Sequence, residues 1–150
     1  DMALAIAARK HLALDAGRIE AAAMLHDIGI TRTHAPGIEC HGTEPYLMHG
    51  VLGAQMLQDA GAPEWAAGVA ERHTGAGLTR ADVIAAGMPD PGHDLCPRDT
   101  LERLVCYADK FFSKTHVGAP PKALERVRAS IRKFGPAAAE RFESLHEEFG

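Results

Sequence analysis

One stretch of the chain, residues 22–29, reads Ala-Ala-Met-Leu-His-Asp-Ile-Gly. It closes an apolar, alanine-rich segment that Asp15 can cap at its start and Gly29 can end, because aspartate favours the N-cap of a helix and glycine the position after its last turn. The pattern predicts a helix that carries two ionisable residues, His26 and Asp27, at its C-terminal end.

The same signals divide the rest of the chain into helices. Glycine and proline predict loops over residues 31–45 and 88–97. Alternating β-branched runs, which are typical of strands, are not found in the sequence. We therefore predict an all-α fold with helices over residues 3–14, 15–26, 46–60, 63–73, 79–87, 99–114, 122–134 and 136–149.

The composition is that of one ordered domain. The chain has 150 residues, of which 46% are hydrophobic and 24% charged, and its formal net charge is −4. These values argue against disorder and against broad electrostatic binding to nucleic acid or a membrane. Three cysteines without a close pair indicate reduced thiols, so we predict a cytoplasmic protein. Because residue 1 is an aspartate that adjoins a predicted helix, we expect a further segment before it.

Three more ionisable residues lie on the apolar stripes of their helices: His49, His73 and Asp109. Each one alone is more often a satisfied core residue or a helix cap. A buried carboxylate without a partner is costly, however, and the stripes that carry Asp27 and Asp109 hold no lysine or arginine. Because imidazole and carboxylate are natural ligands of transition metals, these residues together with His26 indicate a divalent metal site.

Four short motifs now resemble the signature of the HD-domain superfamily of metal-dependent phosphohydrolases. The first is the stretch 22–29, and the others are Met48-His49-Gly50, Glu71-Arg72-His73-Thr74-Gly75 and Tyr107-Ala108-Asp109-Lys110. The order of these motifs along the chain is similar to that in the HDIG-type branch of the superfamily, which binds two metals. The resemblance implies a helical bundle with a five-helix core in a single domain over residues 1–150, with residues 120–150 as a C-terminal extension of two helices.

The resemblance also implies a ligand set. His26, Asp27 and Asp109 would hold one metal and form the catalytic group, and Asp27 would bridge to a second metal held by His49 and His73. The family carries another histidine ligand well before its His-Asp pair. His11 is too close to His26 for that role, so we expect the ligand to precede residue 1.

Many members of the family follow His-Asp-x-Gly with a lysine that contacts the substrate phosphate, where this chain has Ile30. Arg32 and Arg80 are candidates for substrate binding in its place. An equally good interpretation makes both of them solvated surface charges.

The function that the resemblance implies is hydrolysis of a phosphate ester or anhydride in a nucleotide or a related small molecule. One or two transition-metal ions would be needed, with iron or manganese favoured and nickel, zinc and cobalt as alternatives. Two rival hypotheses are a di-iron oxygenase of the same superfamily and a non-catalytic ligand-binding domain. The expected partner is a small phosphorylated substrate, without nucleic acid or membrane. Apolar residues of the last two helices pack against the core or against a second subunit of a homodimer, namely Phe134, Phe142, Leu145 and Phe149.

Overall fold

The computed structural model describes residues 1–116 and 118–150, and over these residues the protein is a helical bundle. The prediction of an all-α fold is confirmed, apart from one very short hairpin. The helices are α1 (Met2–Arg9), α2 (Ala16–Leu25), α3 (His49–Asp59), α4 (Glu64–Arg72), α5 (Arg80–Ala85), α6 (Thr100–Asp109), α7 (Leu124–Arg132) and α8 (Pro136–Phe149). In this described part of the chain, no helix has both the length and the apolar character needed to cross a membrane.

The sequence located the starts of several helices correctly. The side chain of Asp15 accepts a hydrogen bond from the backbone N–H of Arg18 at the start of α2. Thr79 and Asp82 form the reciprocal capping box that opens α5. These caps satisfy N–H groups that have no partner inside the helix, which is why they mark the starts so clearly.

The predicted helix ends were less accurate, and one region was wrong. Strands β1 (His34–Ala35) and β2 (Cys40–His41) pair antiparallel inside the stretch predicted as a loop. Two residues are too few to show an alternating pattern, so the sequence carried no strand signal there. Helix α1 ends at Arg9 rather than residue 14, and α6 ends at Asp109 rather than residue 114.

The hydrophobic core surrounds α6. Leu104, Val105 and Cys106 are buried there against α1, α2 and the two C-terminal helices. Helices α7 and α8 share this core through Val127, Ile131, Phe142, Leu145 and Phe149, whereas Phe134 is 71% exposed. Phe134 therefore does not pack in the core, because it follows the last turn of α7 and leaves the buried face of that helix; packing against a second subunit stays a prediction.

Glycines allow the segment after α2 to touch α3. A Cβ atom added to Gly29 would lie 2.0 Å from the carbonyl oxygen of His49 and 2.4 Å from the backbone nitrogen of Gly53. The two backbones are therefore in direct contact, with no room for a side chain between them. This contact fixes the His26–Asp27 pair relative to the start of α3.

One buried ion pair joins α4 to α6. Arg72 donates from Nε to Oε2 of Glu102 at 2.8 Å and from Nη2 to Oε1 at 2.6 Å. The backbone N–H of Arg98 donates to the same carboxylate at 2.7 Å. Glu102 is 4% exposed, and these donors compensate its charge in the interior.

We expect Glu102→Ala to lower the free energy of unfolding by about 1 to 3 kcal/mol, because Nε and Nη2 of Arg72 lose their acceptor while Nη1 keeps its bond to Glu71. Thermal or denaturant unfolding at neutral pH measures this. The control is Glu147→Ala, which removes an exposed glutamate of α8 and should change stability by less than about 0.5 kcal/mol. Equal effects of the two variants would contradict a stabilising role for the pair.

The same pair makes stability depend on pH. Burial alone would raise the pKa of Glu102, but the hydrogen bonds from Arg72 and from the Arg98 backbone lower it below its ordinary value. A carboxyl whose pKa is lower in the folded state stabilises the fold above the unfolded pKa, which is about 4.3. The stability difference between the unaltered protein and Glu102→Ala should therefore be full at neutral pH and shrink as the pH falls below about 4.

Candidate metal centre

The ends of four chain segments bring the five predicted ligand residues into one cluster. Asp27 Oδ1 lies 3.1 Å from Nε2 of His73 and 3.5 Å from Nε2 of His49. Its other oxygen, Oδ2, lies 3.2 Å from Nε2 of His26. The same His26 nitrogen lies 3.4 Å from Oδ1 of Asp109. Asp27 is thus the central residue and touches all three histidines.

Each of the three imidazole rings is oriented by its own helix turn. Nδ1 of His26, His49 and His73 hydrogen-bonds to a backbone carbonyl three residues earlier, at 2.7, 2.7 and 2.8 Å. A carbonyl only accepts, so Nδ1 carries the proton in every ring. Nε2 is therefore the nitrogen directed at the cluster. This is the arrangement in which histidine binds metals, with the opposite N–H fixed by a backbone acceptor.

Two of the three nitrogens that meet in the cluster, those of His49 and His73, carry no hydrogen at neutral pH. Nε2 of His49 and Nε2 of His73 lie 3.0 Å apart, so two lone pairs face each other when both rings are neutral. Burial, helped by the neighbouring His73, lowers the pKa of His49 to about 4, and burial also lowers the pKa of His73. Burial alone would lower the pKa of His26, but Asp109 and Asp27 outweigh burial and raise it to about 9. Nε2 of His26 is buried and forms no well-aligned hydrogen bond with any described residue.

The carboxylates complete a donor set that suits a divalent cation. Burial alone would raise the pKa of Asp27, but His26 and His73 lower it well below its ordinary value. Burial acts in the same way on Asp109, and Lys110 and His26 lower its pKa. Both groups are therefore ionised at neutral pH. Two partly buried carboxylates and three imidazole Nε2 atoms fit a transition metal in charge and in ligand type.

Two lysines pair with these carboxylates, although the helical stripes that carry Asp27 and Asp109 offered no basic partner. Nζ of Lys110 lies 2.7 Å from Oδ2 of Asp109 and donates to the His73 carbonyl at 3.1 Å. Nζ of Lys114 lies 3.0 Å from Oδ2 of Asp27 and 3.6 Å from Oδ1 of Asp109. Helix α6 ends at Asp109, so the helical stripe does not extend to these lysines and the chain turns them back onto the cluster.

The cluster opens into a cavity of about 760 Å³. His49, His73 and Asp109 form part of its wall, and Lys110 and Lys114 lie beside them. This volume falls within the range of roughly 300 to 1,000 Å³ that is typical of small-molecule sites. A ligand in the cavity can therefore touch the cluster and the lysines together.

The other candidate residues lie elsewhere. Arg32 is exposed at the end of the short 3₁₀ segment Ile28–Arg32. Arg80 forms an exposed ion pair with Asp90, and neither arginine belongs to the cavity wall. His11 is exposed in the turn after α1, apart from the cluster.

Sequence reasoning missed Lys110 and Lys114 as site residues. Lys110 stands next to Asp109 in a quoted motif, and that adjacency was a usable signal. The sequence carried no such signal for Lys114, because the location of its side chain depends on where α6 ends.

Comparison with known proteins places the chain in a family. The model of the HD domain family matches residues 2–113, which covers α1 to α6 and all five cluster residues. A protein of Methanocaldococcus jannaschii described as uncharacterized is 38% identical over 77% of this chain. Two archaeal tRNA (cytidine(56)-2'-O)-methyltransferases also match. The Thermoplasma volcanium enzyme is 32% identical over 96% of the chain, and the Picrophilus torridus enzyme is 29% identical over 87%.

These relatives are all longer than the chain. It spans 60% of the Methanocaldococcus protein and 38% and 33% of the two methyltransferases. No solved structure gives a significant match. The family match, which extends over most of the sequence and includes every cluster residue, shows that the chain belongs to the HD domain family.

Proposed function

We propose that the protein is a metal-dependent phosphohydrolase that cleaves a phosphate ester or anhydride bond in a nucleotide or a related small molecule. The observation that carries the proposal is the convergence of three Nδ1-anchored histidines with Asp27 and Asp109 in one cluster, of which His49, His73 and Asp109 line a cavity. Membership of the HD domain family adds independent support.

The cluster residues divide between two ions. His26, Asp27 and Asp109 would hold one, and His49, His73 and the shared Asp27 the other. We favour iron or manganese because three imidazoles suit these metals better than they suit magnesium. When bound, such ions polarise phosphoryl oxygens and lower the pKa of water.

The protein's own contribution is to hold these groups in a fixed arrangement and to neutralise the substrate. The backbone carbonyls that accept from each Nδ1 keep the rings directed at the cluster. Lys114 supplies positive charge at the cavity wall. Burial alone would lower its pKa, but Asp109 and Asp27 raise it above its ordinary value, so the ammonium stays charged at neutral pH. It takes the phosphate-binding role for which the sequence has no lysine at position 30.

Methyl transfer to tRNA is not part of the proposal. The two methyltransferases are more than twice as long as the stretch that this chain matches. The cluster and its lysines favour hydrolysis of a phosphate ester. We also place the protein in the cytoplasm, in keeping with its three free cysteines.

The deciding experiment measures metal content and phosphate release on the same sample. Protein purified without chelator or added metal is analysed by elemental mass spectrometry and then assayed against a panel of nucleotides and phosphate esters. About two transition-metal ions per chain with phosphate release support the proposal. Mixed-valence iron that consumes oxygen would favour the oxygenase instead, and absence of metal after reconstitution would favour a ligand-binding domain.

We expect Lys114→Met to lower kcat/KM for phosphate esters by about ten- to a hundredfold, since one hydrogen bond to a charged group contributes about 1.5 to 3 kcal/mol. Metal content should not fall, because the ammonium competes with a cation for the same carboxylates. Lys133→Met, at an exposed lysine after α7, is the control. A Lys114 variant with full activity would remove this residue from the substrate site.

A further inference from the structure

The cavity extends well beyond the metal cluster. From His73 its wall follows the chain through residues 74–78 to α5. On the opposite side it follows residues 109–110 and 112–115 and then continues onto α7 and α8. We call this remote part the distal wall. Apolar side chains predominate in it, namely Leu78, Ala85, Ala86, Ile131, Phe134 and Ala138.

The distal wall has a different chemistry from the cluster. The cluster end carries carboxylates, imidazoles and the lysines, which suit a phosphate group and its cations. The distal wall suits an apolar body. Phe112 and Phe134 also line the cavity and are 43% and 71% exposed, so their rings offer flat faces at the open side. Aromatic rings stack readily on other flat groups.

Charged side chains interrupt the distal wall, among them the paired Arg141 of α8 and Asp82 of α5. Arg141 of α8 lines the cavity, and its Nη2 donates to Asp82 at 2.9 Å. Its Nε is buried and has no hydrogen-bond partner among the described residues. A guanidinium group has five N–H donors. The hydrogen bond to Asp82 uses one of them, so other donors of Arg141 remain available. The Arg141 side chain as a whole is 24% exposed, so an acceptor in the cavity can reach a spare N–H at its accessible end, although not the enclosed Nε.

The pairing with Asp82 also limits what Arg141 can recognise. The carboxylate already balances the charge of the guanidinium, so a second anion at this position would meet Asp82 as well as Arg141. A neutral acceptor such as a carbonyl oxygen takes up a spare N–H without that repulsion. The distal wall therefore disfavours a second phosphate and favours an apolar group that carries an uncharged acceptor.

We propose that the distal wall binds the organic part of the substrate, and that this part is a flat, largely apolar group with a neutral hydrogen-bond acceptor recognised by Arg141. The proposal rests on the proposed function for the position of the phosphate. It assigns substrate selection to α5, α7 and α8, of which α7 and α8 lie beyond the residues that the family model matches.

Three phosphate monoesters test the chemistry. Methylumbelliferyl phosphate has two fused rings and a carbonyl remote from the phosphate. Naphthyl phosphate has two fused rings and no such acceptor, and glycerol phosphate has no apolar body. Each variant is compared with the unaltered protein on the same ester, so that differences between leaving groups cancel.

Two variants separate the parts of the proposal. Ala85→Trp fills the distal wall and should lower kcat/KM for both aromatic esters at least about tenfold, while leaving glycerol phosphate unchanged. Arg141→Met should lower kcat/KM about tenfold for methylumbelliferyl phosphate alone. The matched controls are Ile84→Trp and Arg132→Met, at exposed positions outside the cavity wall, and neither should change any of the three values.

A binding measurement distinguishes this proposal from the proposed function. Methylumbelliferyl sulfate has the same organic group on an ester that a phosphohydrolase does not cleave, and its affinity is measured by calorimetry. Binding that Ala85→Trp weakens supports the distal wall even if no phosphate ester is hydrolysed. If Ala85→Trp lowers kcat/KM equally for all three esters, or for none of them, the proposal for the distal wall is wrong. The proposed phosphohydrolase activity would not be affected by that result. If Arg141→Met does not fold, Ala85→Trp still decides.

Discussion

Asp27→Asn is expected to abolish binding of both metal ions and, with it, phosphate release. Asp27 lies within 3.5 Å of the Nε2 atoms of His26, His49 and His73, so both halves of the cluster lose a ligand together. The amide is nearly the same size but has no charge and is a poor metal ligand. Removal of a group that only orients a metal ligand lowers activity about 10- to 100-fold. The loss of activity in Asp27→Asn should be larger than this. Elemental mass spectrometry and a phosphate-release assay measure the two effects.

The control for this variant is Asp59→Asn. Asp59 is exposed at the end of α3, where it accepts a hydrogen bond from Gln55. The Asp59→Asn variant should retain metal and activity. Circular dichroism of both variants tests that the helices are intact. An Asp27 variant that keeps both ions would show that the cluster is not the metal centre.

Gly29→Ala is expected to lower both stability and metal content. This variant acts by displacing the backbone and does not remove a metal ligand. The added methyl group would lie 2.0 Å from the His49 carbonyl oxygen, and neither partner is a flexible side chain that can move away. Either α3 shifts or the segment after α2 does. Overpacking of this kind costs about 1 to 3 kcal/mol and can cost more. Thermal unfolding and metal content should therefore fall together, because His49 begins α3.

Gly37→Ala provides a matched control. A Cβ at Gly37 meets nothing within 4 Å, and the residue lies on the surface. Stability and metal content should stay within experimental error of the unaltered protein. If Gly29→Ala behaved in the same way, the close backbone contact would not be fixing the cluster.

The sequence predicted the helices and the inward direction of the ligand residues for local reasons. His49 and His73 repeat at helical spacing with apolar neighbours, and the caps at Asp15 and Thr79 are decided within four residues. Such patterns do not report which helix ends meet in space. The resemblance to the HD family supplied that expectation; the family match confirms membership of the family, and the structure brings the five residues together.

The rest depended on where elements stop and on contacts between distant parts of the chain. Lys114 reaches Asp27 because α6 ends five residues earlier than the apolar pattern indicated. Arg141 reaches Asp82 across 59 positions of sequence. No periodic pattern encodes either contact, so the charge on the cavity wall became visible only in the folded structure.

The hydrogen bonds between each histidine and its own helix turn have a consequence for entropy. A free imidazole side chain samples several rotamers, and a ligand that immobilises it must overcome that loss. In this cluster the three rings are already held by the carbonyls of Ala23, Tyr46 and Ala70. Little rotational freedom is left for an incoming ion to remove, so more of the energy of the metal–ligand bonds remains available for affinity.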